Sequence, residues 1–184
     1  MVDAASGAQP VVPTLDEVYR AHVDSVWRLA RLLGVRAEHL DDVVHDVFLV
    51  VHRRLEGYDP ERPLRSWLHG ITRNVVHHYR RDHARHLRRL TVVRPPTGGG
   101  DDPHERVARA EAAEALLRFL DQLDEPKREV FVLFEVEGMS AKAIAALVGA
   151  NINTVFTRLR AARKRFERFV AELQPQAEPG GHDD

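Results

Sequence analysis

One stretch, TVVRPPTGGGDDPH at residues 91–104, most constrains how this 184-residue chain can fold. Pro95 and Pro96 remove backbone donors, and Gly98, Gly99 and Gly100 raise the entropy cost of ordering, so neither a helix nor a strand is expected there. On both sides of it, apolar residues return every three or four positions, the period of an amphipathic helix. No segment alternates with period two for long enough to make a strand. The chain therefore reads as all-α: two small helical domains, residues 14–90 and 107–173, joined by a flexible linker over 91–106. The length is sufficient for two such domains. Residues 1–13, with Ala, Ser, Gly and Pro, are expected to form a disordered arm. Residues 174–184, with Pro175, Pro179, Gly180 and Gly181, are expected to form a disordered tail.

In the first domain, Leu15, Val18, Tyr19, Val23, Val26, Trp27, Ala30 and Leu33 form one helical stripe, ended by Gly34. Leu40, Val43, Val44, Val47, Phe48, Val51 and Leu55 form a second, followed by Gly57. Leu64, Trp67, Leu68, Ile71, Val75 and Tyr79 form a third, which runs on into an Arg-rich extension. These stripes predict a three-helix bundle. In the second domain, Val107, Ala110, Ala113, Leu116, Leu117 and Leu120 mark a first helix. Pro126 suits the first turn of a second, which buries Val130, Phe131, Leu133 and Phe134 and stops at Gly138. Ser140 can cap a short third helix ending at Gly149. Asn151 or Asn153 caps a fourth, which carries Val155, Leu159, Ala162, Phe166, Phe169 and Val170.

Ala145, Gly149 and Val155 have the spacing of a helix-turn-helix. That motif needs a small residue where the helices touch, a residue tolerant of positive φ in the turn, and an apolar anchor on the second helix. An inert helical hairpin can share this pattern. As a recognition helix, the last segment shows Asn153, Thr154, Phe156, Thr157, Arg158, Arg160 and Lys164 opposite its apolar side. Asn and Arg can contact base edges, while Thr or Phe can touch thymine methyls. Arg163, Lys164, Arg165 and Arg168 suit phosphates. On charge alone, the same cluster also fits a solvated face.

The formal net charge of −1 speaks, by itself, against a nucleic-acid binder. Its distribution reverses that reading. Residues 73–94 hold seven Arg against one Asp, a local +6, while residues 101–125 hold eight acidic residues against three Arg, a local −5. The basic run includes Arg73, Arg80, Arg81, Arg85, Arg88, Arg89 and Arg94, with His77, His78, His83 and His86 interspersed and Trp67 and Tyr79 upstream. Charge beside aromatic rings is what melted DNA requires, although Trp67 also falls on the apolar stripe and reads as core. Asp41, Asp42 and Asp46 on the second helix either face solvent or dock a basic partner.

Other functions find little support. The sequence has no cysteine, hence no disulfide framework, thiolate site or Cys nucleophile. His83 and His86 lie three apart, yet nothing completes a ligand set, so no metal is expected. There is no phosphate loop or Ser/His/Asp logic, so neither an enzyme nor a cofactor is expected. No apolar run approaches a membrane span, and residues 1–13 lack the basic start and apolar core of a signal peptide.

Four stretches together resemble the sigma-70 family of RNA polymerase sigma factors, in its extracytoplasmic-function (ECF) group. LDDVVHDVFLVVHRRL is similar to the helix that docks on core polymerase. GYDPERPLRSWLHGITRNVVHHYRR is similar to the stretch that melts and reads the −10 element. LDEPKREVFVLFEVEGMSAKAIAALVGA and NTVFTRLRAARKRF resemble the opening and the recognition helix of the −35-reading domain. The resemblance implies region 2 and region 4 domains and a cytoplasmic factor, nucleoid-associated when bound to polymerase. It implies as partners core RNA polymerase (through its β and β′ subunits), promoter DNA and an anti-sigma factor. It assigns core binding to Asp41, Asp42, Val43, His45, Asp46 and Phe48, with His45 standing where Gln is usual. It assigns −10 DNA to Tyr58, Trp67, Arg73, Asn74, His77, Arg80 and Arg81. It assigns −35 DNA to Asn153, Thr154, Phe156, Thr157, Arg158, Arg160, Arg163 and Lys164, with Asn153 and Phe156 replacing the commoner Gly and basic residue. A repressor or activator built on the same second domain, or a metal-using enzyme built on the histidines, stays open at this point.

Overall fold

The structure, a computed structural model, describes residues 12–83 and 103–173. Residues 1–11 of the expected arm, the linker residues 91–102, the expected tail, and Arg85, His86, Arg88, Arg89 and Arg94 lie outside the described residues, as does the side chain of His83. The chain divides into two units, Met1–Gly100 and Asp101–Asp184. The described elements are helical in both.

The first unit opens with α1, Leu15–Leu32. Thr14 caps it reciprocally with Glu17: the Glu17 amide donates to Thr14 Oγ1 at 3.3 Å, and the Thr14 amide donates to Glu17 Oε2 at 2.8 Å. Two orphan donors are thereby satisfied. The chain leaves α1 through Gly34 at φ 100°, a conformation costly to any residue with a Cβ. A short 3₁₀ turn leads into α2, Leu40–Arg54, and a second into α3, Leu64–His83. The three helices pack on one another around Val18, Val26, Val47, Val51, Leu68 and Ile71.

Two positions of the expected stripes differ. Tyr19 is exposed, although its ring centroid lies 4.7 Å from that of Phe48 in an edge-to-face pair. On α3, Val76 rather than Val75 is fully buried, and the buried strip also takes in His69 and Thr72. Thr72 is tolerated because its hydroxyl donates to the Leu68 carbonyl at 2.8 Å, one turn back on the same helix. Apolar periodicity does not register such a residue.

The second unit contains α4 (Pro103–Asp121), α5 (Glu125–Phe131), α6 (Ala141–Val148) and α7 (Ile152–Leu173). The helix of α4 begins at Pro103, inside the stretch read as linker over 91–106, because proline is well suited to a first helical turn. Asp124 caps α5, accepting from the Lys127 amide at 3.1 Å. After Phe131 the helix widens into a π turn, Val132–Val136, and ends at Gly138, φ 68°. Ser140 caps α6, accepting from the Ala143 amide at 3.2 Å.

The core of this unit is aromatic. Phe119 is fully buried, with ring centroids 5.1 Å from Phe131, 5.0 Å from Phe166 and 5.6 Å from Phe169. Phe119 lies off the stripe expected for this helix, whereas Val107 and Ala110, which lie on it, are exposed. A helical pattern runs the full length of α4, whereas burial at Phe119 and Leu120 belongs to its last turn. Among the described residues, no helix is long and apolar enough to cross a membrane.

Candidate nucleic-acid interface

The turn between α6 and α7 is built as the motif requires. Gly149 takes the left-handed conformation at φ 65°, and its amide bonds back to the Ala145 carbonyl, as does that of Ala150 at 3.0 Å. Asn151, not Asn153, serves the start of α7: its Oδ1 accepts from the Asn153 amide at 2.8 Å. Val155, Leu159 and Ala162 are buried and fix the rotation of α7 about its axis.

That rotation exposes Asn153, Phe156, Thr157, Arg160, Arg163 and Lys164, and leaves Thr154 and Arg158 half-buried. The cations are not equivalent. Arg163 Nε donates to Glu135 Oε1 at 2.6 Å, and its guanidinium lies 5.4 Å from the Phe134 ring centroid. Arg158 is close enough to Asp124 to help lower its pKa. That carboxyl is held below its ordinary value first by the hydrogen bond from Lys127, with Lys127 and Arg158 adding favourable charge. Ile152, absent from the sequence-based site, is 40% exposed one turn before Phe156. Its signal was an apolar residue lying off the buried stripe.

In the first unit, Asp41, Asp42, His45 and Asp46 are exposed along α2, while Val43 and Phe48 are buried beneath them. Asp42 and Asp46 also line a groove of about 600 Å³ between α2 and α3, with Leu49, Arg53, His78 and Tyr79. In the loop before α3, Tyr58 is buried: its hydroxyl donates to the Arg62 carbonyl at 2.5 Å, and its ring sits 5.0 Å from that of Trp67. Trp67 itself packs half-buried against the core. Further along α3, Arg73 donates to Asn74 Oδ1 at 3.2 Å, and Arg81 contacts the His78 ring at 3.2 Å. Arg73 and His77 are half-buried; Asn74 and Arg81 are exposed. Arg80 turns inward to the Leu33 carbonyl. Among the described residues, no group of three or more acidic, His or Cys side chains is placed to hold a metal ion.

Residues 18–86 match Sigma-70 region 2, and residues 113–166 match Sigma-70, region 4. The chain is 30% identical over 175 residues to the RNA polymerase sigma factor CnrH of Cupriavidus metallidurans, covering 91% of this chain and 90% of that protein. It is 31% identical over 159 residues to the ECF RNA polymerase sigma factor SigM of Mycobacterium tuberculosis, covering 86% of this chain and 78% of that protein. The chain belongs to the sigma-70 family, ECF group.

It is also 30% identical over 174 residues to the ECF sigma factor SigE of Mycolicibacterium smegmatis, spanning 91% of this chain and 66% of that longer protein. CnrH, solved in complex with the cytosolic domain of CnrY, superposes with a TM-score of 0.62 at 28% identity, over 87% of this chain and 89% of that one. RpoE of Bartonella quintana, solved with the anti-sigma factor NepR, gives 0.67 at 20% identity over 85% of this chain and 96% of that one, a likeness of fold. The two units are thus sigma regions 2 and 4, and the protein is a sigma factor for promoter-specific transcription initiation with RNA polymerase.

Within region 2, burial lowers the pKa of His22 from its ordinary 6.5, and Arg65 and His69 act in the same direction. His22 lies on α1, and Arg65 and His69 lie on α3.

Proposed function

We propose that region 2 docks on core polymerase through the exposed acidic residues of α2, and that α3 opens the −10 element while α7 reads the −35 element. The observation that carries this reading is the recognition helix. Behind a glycine-turned, side-chain-capped start, α7 buries Val155, Leu159 and Ala162 and directs Asn153, Phe156, Thr157, Arg160 and Lys164 outward. The polar and basic groups thus stand on the open side of the second helix of a helix-turn-helix, where base edges and phosphates are met. In region 2, Asp41, Asp42, His45 and Asp46 supply the contact surface, and the buried Val43 and Phe48 support it from beneath. Asn74, His77 and Arg81 serve the −10 strand, with Tyr58 and Trp67 holding the preceding loop. Arg73 stiffens that face through its bond to Asn74.

The protein works by binding rather than by covalent chemistry, in the cytoplasm, against the β and β′ subunits. Two of its structural neighbours were solved with bound partners, one of them the anti-sigma factor NepR, which supports an anti-sigma partner here as well. Run-off transcription with core polymerase, with and without this chain, is the decisive experiment. Promoter-dependent transcripts are expected only with it. Asp46→Arg is expected to weaken pull-down of core polymerase while leaving the protein folded, and unchanged pull-down would overturn this docking surface. Tight, specific DNA binding without polymerase, together with no effect on transcription, would instead indicate a repressor.

A further inference from the structure

The arginines of α7 are the obvious base readers by composition, but the fold gives two of them acidic neighbours. Arg163 is paired with Glu135 at 2.6 Å, and Arg158 is half-buried beside Asp124. The first two turns of α7, which in a helix-turn-helix meet the base edges, expose two large apolar side chains beside the polar Asn153 and Thr157. Ile152 is 40% exposed and Phe156 50% exposed, and at i and i+4 they share one face. Thr157 beside them has its hydroxyl engaged, donating to the Asn153 carbonyl at 2.9 Å. The exposed cations Arg160, Lys164, Arg165 and Arg168 begin only in the third turn, where they suit phosphates.

With α7 as the recognition helix, this face meets the major groove, which offers one apolar group on its base edges, the C5-methyl of thymine. We propose that Ile152 and Phe156 read thymine methyl groups, so that region 4 selects its promoter element by apolar contact with thymine. The proposal rests on the assignment of α7 as the DNA-recognition helix and adds the base chemistry that it reads. Both side chains are partly exposed before binding, so the contact removes apolar surface from water without disturbing the core.

The test uses holoenzyme formed from core polymerase and the full chain. A randomised duplex pool is enriched on it, and the selected upstream element is resynthesised with thymine or with uracil, which lacks only the methyl. Each uracil at a read position should weaken binding about fourfold, the effect of one buried methyl. Phe156→Ala and, independently, Ile152→Ala should keep their helical content and lose part of the preference for thymine over uracil. Equal binding of both duplexes by the unsubstituted chain, with binding lost when the element is scrambled, would overturn the thymine reading while leaving the recognition helix intact. Binding indifferent to scrambling would overturn both.

Discussion

Arg80, near the end of α3, donates from Nη1 to the carbonyl of Leu33, which caps α1, at 3.0 Å across 47 residues of sequence. The last carbonyls of a helix have no partner within it and carry partial negative charge, so a half-buried guanidinium there joins two helices of the bundle. A residue that composition places among the DNA contacts thus has a structural task. Arg80→Ala should lower the unfolding free energy by about 1.5–3 kcal/mol, the usual range for a charged hydrogen bond. Arg81→Ala, one position on and exposed, should stay within about 0.5 kcal/mol of the parent and affect DNA binding alone. Urea titrations of the two variants check this contrast.

Gly149 turns the chain between α6 and α7 at φ 65°. A Cβ there meets no atom within 4 Å, so its cost is backbone strain alone. Gly149→Ala should destabilise region 4 by about 1–2 kcal/mol. Gly149→Asn should cost less, because Asn tolerates the left-handed region better. Thermal unfolding of the two variants ranks them.

The Glu135–Arg163 pair is partly exposed, so breaking it should cost under about 1 kcal/mol of stability. Its effect should instead appear in DNA binding. Glu135→Gln releases Arg163 to a phosphate and should steepen the slope of log affinity against log salt by about one. Holoenzyme titrations over a salt series, with an unchanged slope as the contrary outcome, decide it.

His22 sets a pH dependence for region 2. Its pKa in the fold is lowered below 6.5, so under mild acid the unfolded chain takes up the proton first. Below about pH 6.5 the folded state is therefore increasingly disfavoured, and above it the contribution vanishes. Stability should fall between neutral pH and about pH 5, before the carboxylates titrate. His22→Gln should flatten that decline in denaturation midpoints measured across the range.

Much of this architecture was legible in the residues because the signals are local. Apolar periodicity needs only neighbours within two turns, and a cap or a left-handed glycine needs only the next few residues. Hence the helices around Val26, Val47 and Leu68, the Ser140 cap, the Gly149 turn and the burial of Val155, Leu159, Ala162 and Phe169 on α7 could all be read in advance, whereas Phe166, on the same expected stripe, is exposed. The cap of α7 needed the structure to choose between Asn151 and Asn153, which differ by half a turn.

The sequence by itself determined an all-helical chain in two parts, with opposite charge concentrated on different segments. Only the tertiary structure decided which stripe residues are covered and which charges are already engaged. Tyr19 is exposed and Phe119 buried, against the stripe-based expectation, because burial depends on which helices arrive beside them. Leu33 and Arg80 lie 47 residues apart, and Glu135 and Arg163 lie 28 apart. No local pattern encodes such a pairing. It exists only once packing has brought the helices together, and it separates the arginines that hold the fold from those left to meet DNA.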